Sequence, residues 1–261
     1  MSGRRRALLA AVACLVLAAG AATAVAAATS GSSNVAAGRT GPVQDRLGPV
    51  VLVPGYGGST GSLDQLARRI RASGRPATVL RLPGSGTGSL LADATQLNGV
   101  VSDYLRHGAS SVDVIGYSAG GVVALIWARL DHGAARARRI ITLGSPFHGT
   151  QLAATAEAVA PGACPAACRQ LVPGSTLLAS LHVGDPTGLP AWISLWTSDD
   201  QTVTPPDSAE LPGAINVPVQ SVCPAARVSH SQLPTDPAVV DMILQELGRG
   251  PLARPAASAC G

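Results

Sequence analysis

The stretch Gly116-Tyr117-Ser118-Ala119-Gly120 decides the fold, because it joins a predicted strand to a predicted helix. The strand is the short β-branched run at 112–115, and the helix is the Ala/Leu-rich run at 122–130. In this context G-x-S-x-G is typical of a turn so tight that the serine takes strained dihedrals and presents its hydroxyl. A Cβ atom at Gly116 or Gly120 would collide with the neighbouring strand and helix. The alternative interpretation is an ordinary strand-to-helix turn.

A serine hydroxyl becomes a good nucleophile only beside a general base, which in turn needs a carboxylate to orient it. In sheets of this kind the acid and then the histidine follow the serine along the chain. His230 is the predicted base, because it falls between the last predicted strand and the last predicted helix. The alternative for His230 is an exposed loop histidine. The other histidines after the serine are His132, His148 and His182.

The predicted acid is Asp200, which begins an Asp-x-x-Val-x-Pro pattern just past a predicted strand end at Trp196. A carboxylate at that place can receive the N–H of the imidazole. The adjacent Asp199 is the alternative acid, since two neighbouring side chains point in different directions. The segment could also be a solvated acidic turn or a surface cation site.

Two convergent backbone N–H groups are needed to hold the negative oxygen of an acyl-transfer intermediate. The residue after the nucleophile, Ala119, supplies one of them. We expect the other from Tyr56, in the Gly-rich loop at 54–58 that follows the first predicted strand. A loop of this composition could also bind a nucleotide, but it completes no Gly-x-Gly-x-x-Gly pattern, so a dinucleotide site is excluded.

Residues 1–28 have the layout of a secretory signal peptide. Arginines at 4–6 precede an apolar stretch at 7–19, and Ala-x-Ala cleavage patterns follow within 22–28. A membrane anchor is the alternative, but the apolar stretch is short for a bilayer span. Arg5-Arg6 also fits a twin-arginine signal, so the export route is left open. We expect a secreted, extracellular protein without a stable membrane anchor.

The composition excludes several classes of function. Residues 1–28 hold three arginines and no acid, so their removal lowers the net charge from +4 to about +1. The basic pI therefore gives no ground for a nucleic-acid partner. The sequence contains no lysine, which excludes a Schiff-base lysine, a pyridoxal site and a Walker-type nucleotide site. We expect no cofactor and no metal.

The cysteines predict two disulfide bonds. Cys14 lies in the predicted signal peptide, which leaves an even number of cysteines in an exported chain. Three pairings are possible, and we favour Cys164–Cys168, which closes a small loop, with Cys223–Cys260, which ties down the C-terminal tail. A four-cysteine zinc site is the alternative, but the sequence lacks the second closely spaced pair typical of such sites.

Strand-like and helix-like runs alternate along the chain. The predicted strands are 50–53, 77–82, 112–115, 139–143, 191–196 and 214–220, and the predicted helices are 62–73, 89–107, 122–130 and 237–247. This alternation is typical of an α/β fold with a mostly parallel sheet covered on both faces. We predict one domain at 48–261 after a flexible lead-in at 29–47. Residues 150–189 interrupt the alternation and are short for a lid.

Five segments together resemble one known family, the small secreted bacterial triacylglycerol lipases and esterases of the α/β-hydrolase fold. They are Val51-Leu52-Val53-Pro54-Gly55-Tyr56-Gly57-Gly58, Gly116-Tyr117-Ser118-Ala119-Gly120-Gly121, Thr142-Leu143-Gly144-Ser145-Pro146-Phe147-His148-Gly149-Thr150, the Asp200 segment and the His230 loop. The resemblance implies a triad of Ser118, Asp200 and His230, with Tyr56 and Ala119 as oxyanion donors. It also implies that His148 is a conformational residue near the site.

The expected function is therefore that of a secreted serine carboxylic-ester hydrolase, a lipase or esterase that acts through an acyl-enzyme. Its partner is a lipid or other small ester, and we expect a monomer. A polyester depolymerase, a phospholipase or an acyltransferase would use the same triad, and pocket shape would distinguish them. The alternative from another class is a non-catalytic hydrolase-like domain that binds lipid or a partner protein.

Overall fold

The computed structural model describes residues 42–260, and within them six strands form one parallel sheet in the order β2-β1-β3-β4-β5-β6. The strands are β1 (Val50–Val53), β2 (Ala77–Val79), β3 (Val112–Tyr117), β4 (Ala137–Leu143), β5 (Ala191–Trp196) and β6 (Ile215–Pro218). The helices are α1 (Gly61–Ala72), α2 (Leu90–Arg106), α3 (Ala119–Leu130), α4 (Gln151–Val159), α5 (Ala166–Gln170), α6 (Thr176–Ser180) and α7 (Pro237–Glu246). The predicted signal peptide lies outside the described residues.

Helices cover both faces of the sheet, which confirms the predicted α/β architecture. In β1, Val51 and Val53 pack into the apolar layer that contains α2 and α3, whereas Val50 and Leu52 pack into the layer that contains α1 and α7. Successive side chains of a strand point to opposite faces, so a strand buried on both sides must be apolar throughout. All four residues of β1 are fully buried.

Several element boundaries differ from the predicted ones by one to three residues. The second strand ends at Val79 instead of residue 82, because its single partner β1 turns away at Pro54. The strand predicted at 214–220 stops at Pro218, which has no N–H for a ladder, and a 3₁₀ turn follows. Helix α3 begins three residues earlier than predicted, directly after Ser118.

Residues 150–189 form the three short helices α4, α5 and α6, which pack on the layer of α2 and α3 through an apolar set that includes Ala153, Ala167 and Leu178. Both favoured disulfides are present: Cys164–Cys168 spans the start of α5, and Cys223–Cys260 fixes the C-terminal tail. Among residues 42–260, no helix is both long enough and apolar enough to cross a membrane.

A buried cluster of charges closes the amino edge of the sheet. Asp113 of β3 is fully buried, and its carboxylate accepts from Arg75 Nη1 at 2.6 Å and from Arg138 Nε at 2.8 Å. Both guanidinium groups also donate to the carbonyl oxygen of Leu247, just past the end of α7. The arginines thereby satisfy carbonyl groups that a helix C-terminus leaves free.

The same cluster anchors the start of the described chain. Arg138 Nη1 donates to the carbonyl oxygen of Gln44 at 2.8 Å, and Gln44 Nε2 returns a bond to the carbonyl oxygen of Arg138 at 2.8 Å. Gln44 falls within the segment 29–47, for which we predicted a flexible lead-in. This part of the segment is tied to the sheet by the buried Arg138, so Gln44 and the end of α7 meet at one ion cluster.

Removal of Asp113 should cost the domain several kcal/mol. In Asp113→Ala the buried Arg75 and Arg138 lose their common carboxylate, and breaking such a pair costs about 3–5 kcal/mol. Urea unfolding followed by circular dichroism measures the loss. The control is Asp103→Ala, which breaks the exposed pair with Arg106 and should change stability by less than about 1 kcal/mol. Equal losses in the two variants would contradict the role given to the cluster.

Asp93 should make the domain more stable in mild acid. It lies on the buried face of α2, its Oδ2 has no hydrogen-bond partner, and burial raises its pKa from 3.8 to about 6. As the pH falls, Asp93 takes up a proton near pH 6 in the folded protein, whereas in the unfolded chain it stays charged down to about pH 3.8. Stability therefore rises as the pH falls between these values. Asp93→Asn should stabilise the protein at pH 7, by up to about 3 kcal/mol, and much less at pH 4.

The measurement is urea unfolding at pH 4, 5, 6 and 7, with exposed Asp103→Asn on the same helix as the control. A stability difference between Asp93→Asn and wild type that stays constant across this range would show that Asp93 titrates normally in the folded protein.

Candidate active site

Ser118 occupies a strained turn between the end of β3 and the start of α3. Its backbone has φ 52° and ψ −127°, in a region that side-chain-bearing residues rarely adopt and that costs on the order of 1–3 kcal/mol. The turn is held by its own backbone: Ser118 N–H donates to Leu143 of β4 at 2.8 Å, and Gly121 N–H donates to Ser118 at 2.9 Å. The hydroxyl is thus presented at the carboxyl edge of the sheet.

Glycines allow this turn to fit between its neighbours. We call this strand-to-helix turn at residues 116–120 the elbow. A Cβ atom on Gly116 would lie 2.5 Å from the Cα atom of Gly121, on the other side of the elbow. A Cβ atom on Gly120 would overlap the carbonyl oxygens of Val53 and Pro54, where the chain leaves β1. Real Cβ atoms do not approach so closely, so the elbow requires glycine at both places.

His230 lies beside the hydroxyl of Ser118. Its Nε2 is 3.0 Å from Ser118 Oγ, and its Nδ1 is 2.6 Å from Asp200 Oδ2. His230 is the first residue of a short 3₁₀ turn. The backbone N–H of the preceding Ser229 donates to Gln232 Oε1 at 2.9 Å. Gly144, at φ 55°, passes behind the pair, and a Cβ atom there would lie 3.1 Å from His230 Nδ1. The three side chains form one continuous hydrogen-bonded chain.

The structure brings Asp200, and not the alternative Asp199, to the histidine. Asp200 is 5% exposed, and its Oδ1 accepts the backbone N–H groups of Thr202 and Val203, each at 2.8 Å. One carboxylate oxygen is thereby fixed by backbone, and the other is free for His230. Asp199 is exposed and points towards Gln220.

The loop after β1 passes directly against Ser118. A Cβ atom on Gly55 would lie 2.9 Å from Ser118 Cβ, and Gly57 N–H donates to Gly86 at 3.0 Å. Among the hydrogen bonds of residues 42–260, none uses the backbone N–H of Tyr56 or Ala119. Both candidate oxyanion donors are therefore unpaired within the described protein and belong to segments that adjoin the hydroxyl.

Tyr117 also contacts the histidine, which sequence reasoning missed. Its ring centroid lies 5.2 Å from that of His230, and its hydroxyl donates to the carbonyl oxygen of His230 at 3.3 Å. Burial, and secondly the charge of Asp200, raises the pKa of Tyr117 to about 12, so the hydroxyl keeps its proton at neutral pH. An aromatic residue directly before the elbow serine was the available signal.

His148 contacts neither the serine nor the other two residues of the hydrogen-bonded chain. Its side chain is exposed, with Nε2 3.1 Å from the carbonyl oxygen of Glu210, and its backbone N–H donates to Ser208. Both partners lie in the segment that continues from Asp200. His148 is therefore placed to support that segment from outside.

The parallel six-strand sheet with helices on both faces is the fold of the α/β hydrolases. A family model described as a PGAP1-like alpha/beta domain matches residues 87–160, which run from α2 through the elbow to the end of α4. A search of curated protein sequences gives no match.

Solved structures of the same fold include three ester-cleaving enzymes by name. Lipase B of Aspergillus fumigatus has a TM-score of 0.67 and 18% identity, over 87% of this chain and 59% of its own. The mature Bacillus licheniformis lipase has a TM-score of 0.55 and 20% identity, over 68% of this chain and 86% of its own. A metagenomic carboxyl esterase has a TM-score of 0.52 and 18% identity, over 67% of this chain and 64% of its own. The chain thus spans about three fifths of the Aspergillus enzyme, and these likenesses show the α/β-hydrolase fold.

Gly120→Ala should destabilise the protein, because the new methyl group meets the backbone carbonyls of Val53 and Pro54. Overpacking against backbone costs about 1–3 kcal/mol or more. The matched control is Gly99→Ala in the exposed interior of α2, where a Cβ atom has open space, and it should stabilise by about 0.5–1 kcal/mol. Thermal unfolding of both variants checks the opposite signs. Stabilisation by Gly120→Ala would show that the elbow tolerates a side chain.

Proposed function

We propose that this protein is a serine hydrolase of carboxylic esters, of the lipase or esterase type. The observation that carries the proposal is the continuous chain from Asp200 through His230 to Ser118, with distances of 2.6 and 3.0 Å, at an exposed sheet edge. In the proposal Ser118 is the nucleophile, His230 the general base and Asp200 the residue that orients it.

The proposed reaction is acyl transfer to water. His230 Nε2 takes the hydroxyl proton of Ser118 as the oxygen attacks the ester carbonyl, and a tetrahedral intermediate forms. The intermediate collapses when its carbon–oxygen bond to the alcohol breaks, and the alcohol leaves with the proton from His230. Water then enters along the same path and releases the acid from Ser118. The backbone hold on Asp200 Oδ1 supports its role, since the other oxygen keeps the imidazole N–H directed.

The backbone N–H groups of Tyr56 and Ala119 are the proposed oxyanion donors. Their freedom from other acceptors within residues 42–260 supports this assignment, because a donor already bonded in the protein could not bind the developing charge. The close pass of Gly55 against Ser118 supports it further. Loss of one such donor costs roughly 3 kcal/mol of transition-state stabilisation.

Apolar ester substrates are favoured by the surface near the site. The side chains of Tyr56 and Leu152 are 46% and 57% exposed, and Leu152 is in the first turn of α4, two residues after Thr150. The names of the Aspergillus and Bacillus lipases point in the same direction. We further propose that residues 1–28 direct export, with which the two disulfides are consistent.

Hydrolysis of p-nitrophenyl esters from acetate to palmitate tests the proposal. The wild type should turn over, and its chain-length optimum distinguishes an esterase from a lipase. Ser118→Ala should lower kcat by at least ~10⁴-fold, because it removes the hydroxyl that adjoins His230 Nε2. A serine-directed phosphonate should label the wild type once and leave Ser118→Ala unlabelled.

The adjacent aspartates offer a matched control. Asp200→Asn should lower kcat by ~10⁴-fold, whereas Asp199→Asn should remain close to wild type, because only Asp200 contacts His230. A folded wild type with no turnover on any ester and no labelling would overturn the hydrolase and favour the lipid- or partner-binding domain. Labelling without hydrolysis would point to transfer of the acyl group to an alcohol.

A further inference from the structure

The segment His148-Gly149-Thr150 makes its contacts with the loop that carries the acid. His148 N–H donates to Ser208, Ser208 Oγ donates to the carbonyl oxygen of Gly149, and Thr150 Oγ1 donates to the carbonyl oxygen of Thr202 at 2.7 Å. The segment is the most distinctive motif of the sequence after the elbow, yet none of its side chains reaches Ser118 or His230 in a hydrogen bond. Its place in the fold calls for a different role.

We propose that Thr150 is a positioning residue that fixes the acid of the triad through the backbone of residues 202–204. The inference rests on the proposed function for its catalytic consequence, but its structural claim concerns the Asp200–His230 contact alone. The hydroxyl of Thr150 is the bridge: it donates to Thr202 O at 2.7 Å and accepts from Thr204 N–H at 3.2 Å.

These two backbone groups lie on either side of Val203, whose amide is one of the two that hold the carboxylate. Asp200 Oδ1 accepts the N–H groups of Thr202 and Val203 at 2.8 Å each, so the orientation of Asp200 depends on the path of the chain at 202–203. Thr150 binds that path on both sides. A hydroxyl can donate once and accept as well, which no apolar isostere can imitate.

Thr150 is itself held in place from the other side. It is 7% exposed, its N–H donates to Leu171 at 3.0 Å, and its hydroxyl also accepts Leu152 N–H at 3.3 Å as the N-cap of α4. The next residue extends the connection, because Gln151 N–H donates to Thr204 O at 2.9 Å. The start of α4 is therefore joined to residues 202–204 by hydrogen bonds from both Thr150 and Gln151.

The catalytic consequence concerns turnover more than substrate binding. Loss of the bridge releases residues 202–204, so the Asp200 carboxylate loses its fixed direction towards His230 Nδ1. Small displacements of a catalytic group cost large factors in rate, with ~100-fold for about 1 Å. Thr150→Val should therefore lower kcat roughly 10- to 100-fold with little change in KM. Thr150→Ser, which keeps the hydroxyl, should retain most of the wild-type kcat.

The experiment compares Thr150→Val and Thr150→Ser with Thr155→Val, which removes an exposed hydroxyl from the same helix. The first readout is kcat and KM on the preferred p-nitrophenyl ester. The second is the low-field proton resonance of His230 Nδ1–H, which reports its hydrogen bond to Asp200 without any substrate. Thr150→Val should lose or shift this resonance, whereas the Ser variant and the Thr155 control should keep it. Thr150→Ala replaces Thr150→Val if the valine variant does not fold.

A double-mutant cycle separates positioning from general destabilisation. In an Asp200→Asn background, Thr150→Val should change kcat by less than about twofold, because the acid it positions is already gone. An equal fold-loss in both backgrounds, or an unchanged His230 resonance in Thr150→Val, would overturn the inference. A wild type that shows this resonance but hydrolyses no ester would instead refute the proposed function, and the resonance of the variants would still decide the role of Thr150.

Discussion

The site depends on one steric constraint, the close approach of the chain leaving β1 to the first turn of α3. Gly120 permits the approach from the helix, and Gly55 permits it from the loop after β1, which passes directly against the strained serine. Ser118 at φ 52° would relax if either neighbour withdrew. Ser118 and the loop opposite it are therefore placed by backbone packing, which is harder to disturb than side-chain contacts.

Stability and chemistry are located at opposite edges of the sheet. At the amino edge, Asp113 and its arginines are buried and gather Gln44 with the end of α7. At the carboxyl edge, the chain breaks into loops that carry Ser118, Asp200 and His230. Parallel strands bring their carboxyl ends together, so residues that are far apart in sequence meet there.

The sequence predicted the elements of this arrangement because their signals are local. The elbow, the acid after β5 and the histidine before α7 are each marked by neighbouring residues, and the structure brings these side chains together. Thr150 carried no such signal, and Tyr117 carried one only in its position directly before the serine. Their partners lie 52 and 113 residues away, and only the folded sheet brings them into range. The predicted end of β2 was wrong for a similar reason, because it depends on where the neighbouring strand β1 turns away.

Each member of the hydrogen-bonded chain is supported by a different part of the fold. Ser118 is held by the elbow, and His230 packs against the ring of Tyr117. Asp200 is held by the backbone amides of residues 202 and 203, in a segment that Thr150 bonds through Thr202 O and Thr204 N–H. Three independent supports must agree for the distances of 2.6 and 3.0 Å to occur together. A buried carboxylate and imidazole could have satisfied their hydrogen bonds in many less constrained ways. That they meet at the one strained serine of the sheet edge favours selection for reactivity over selection for stability alone.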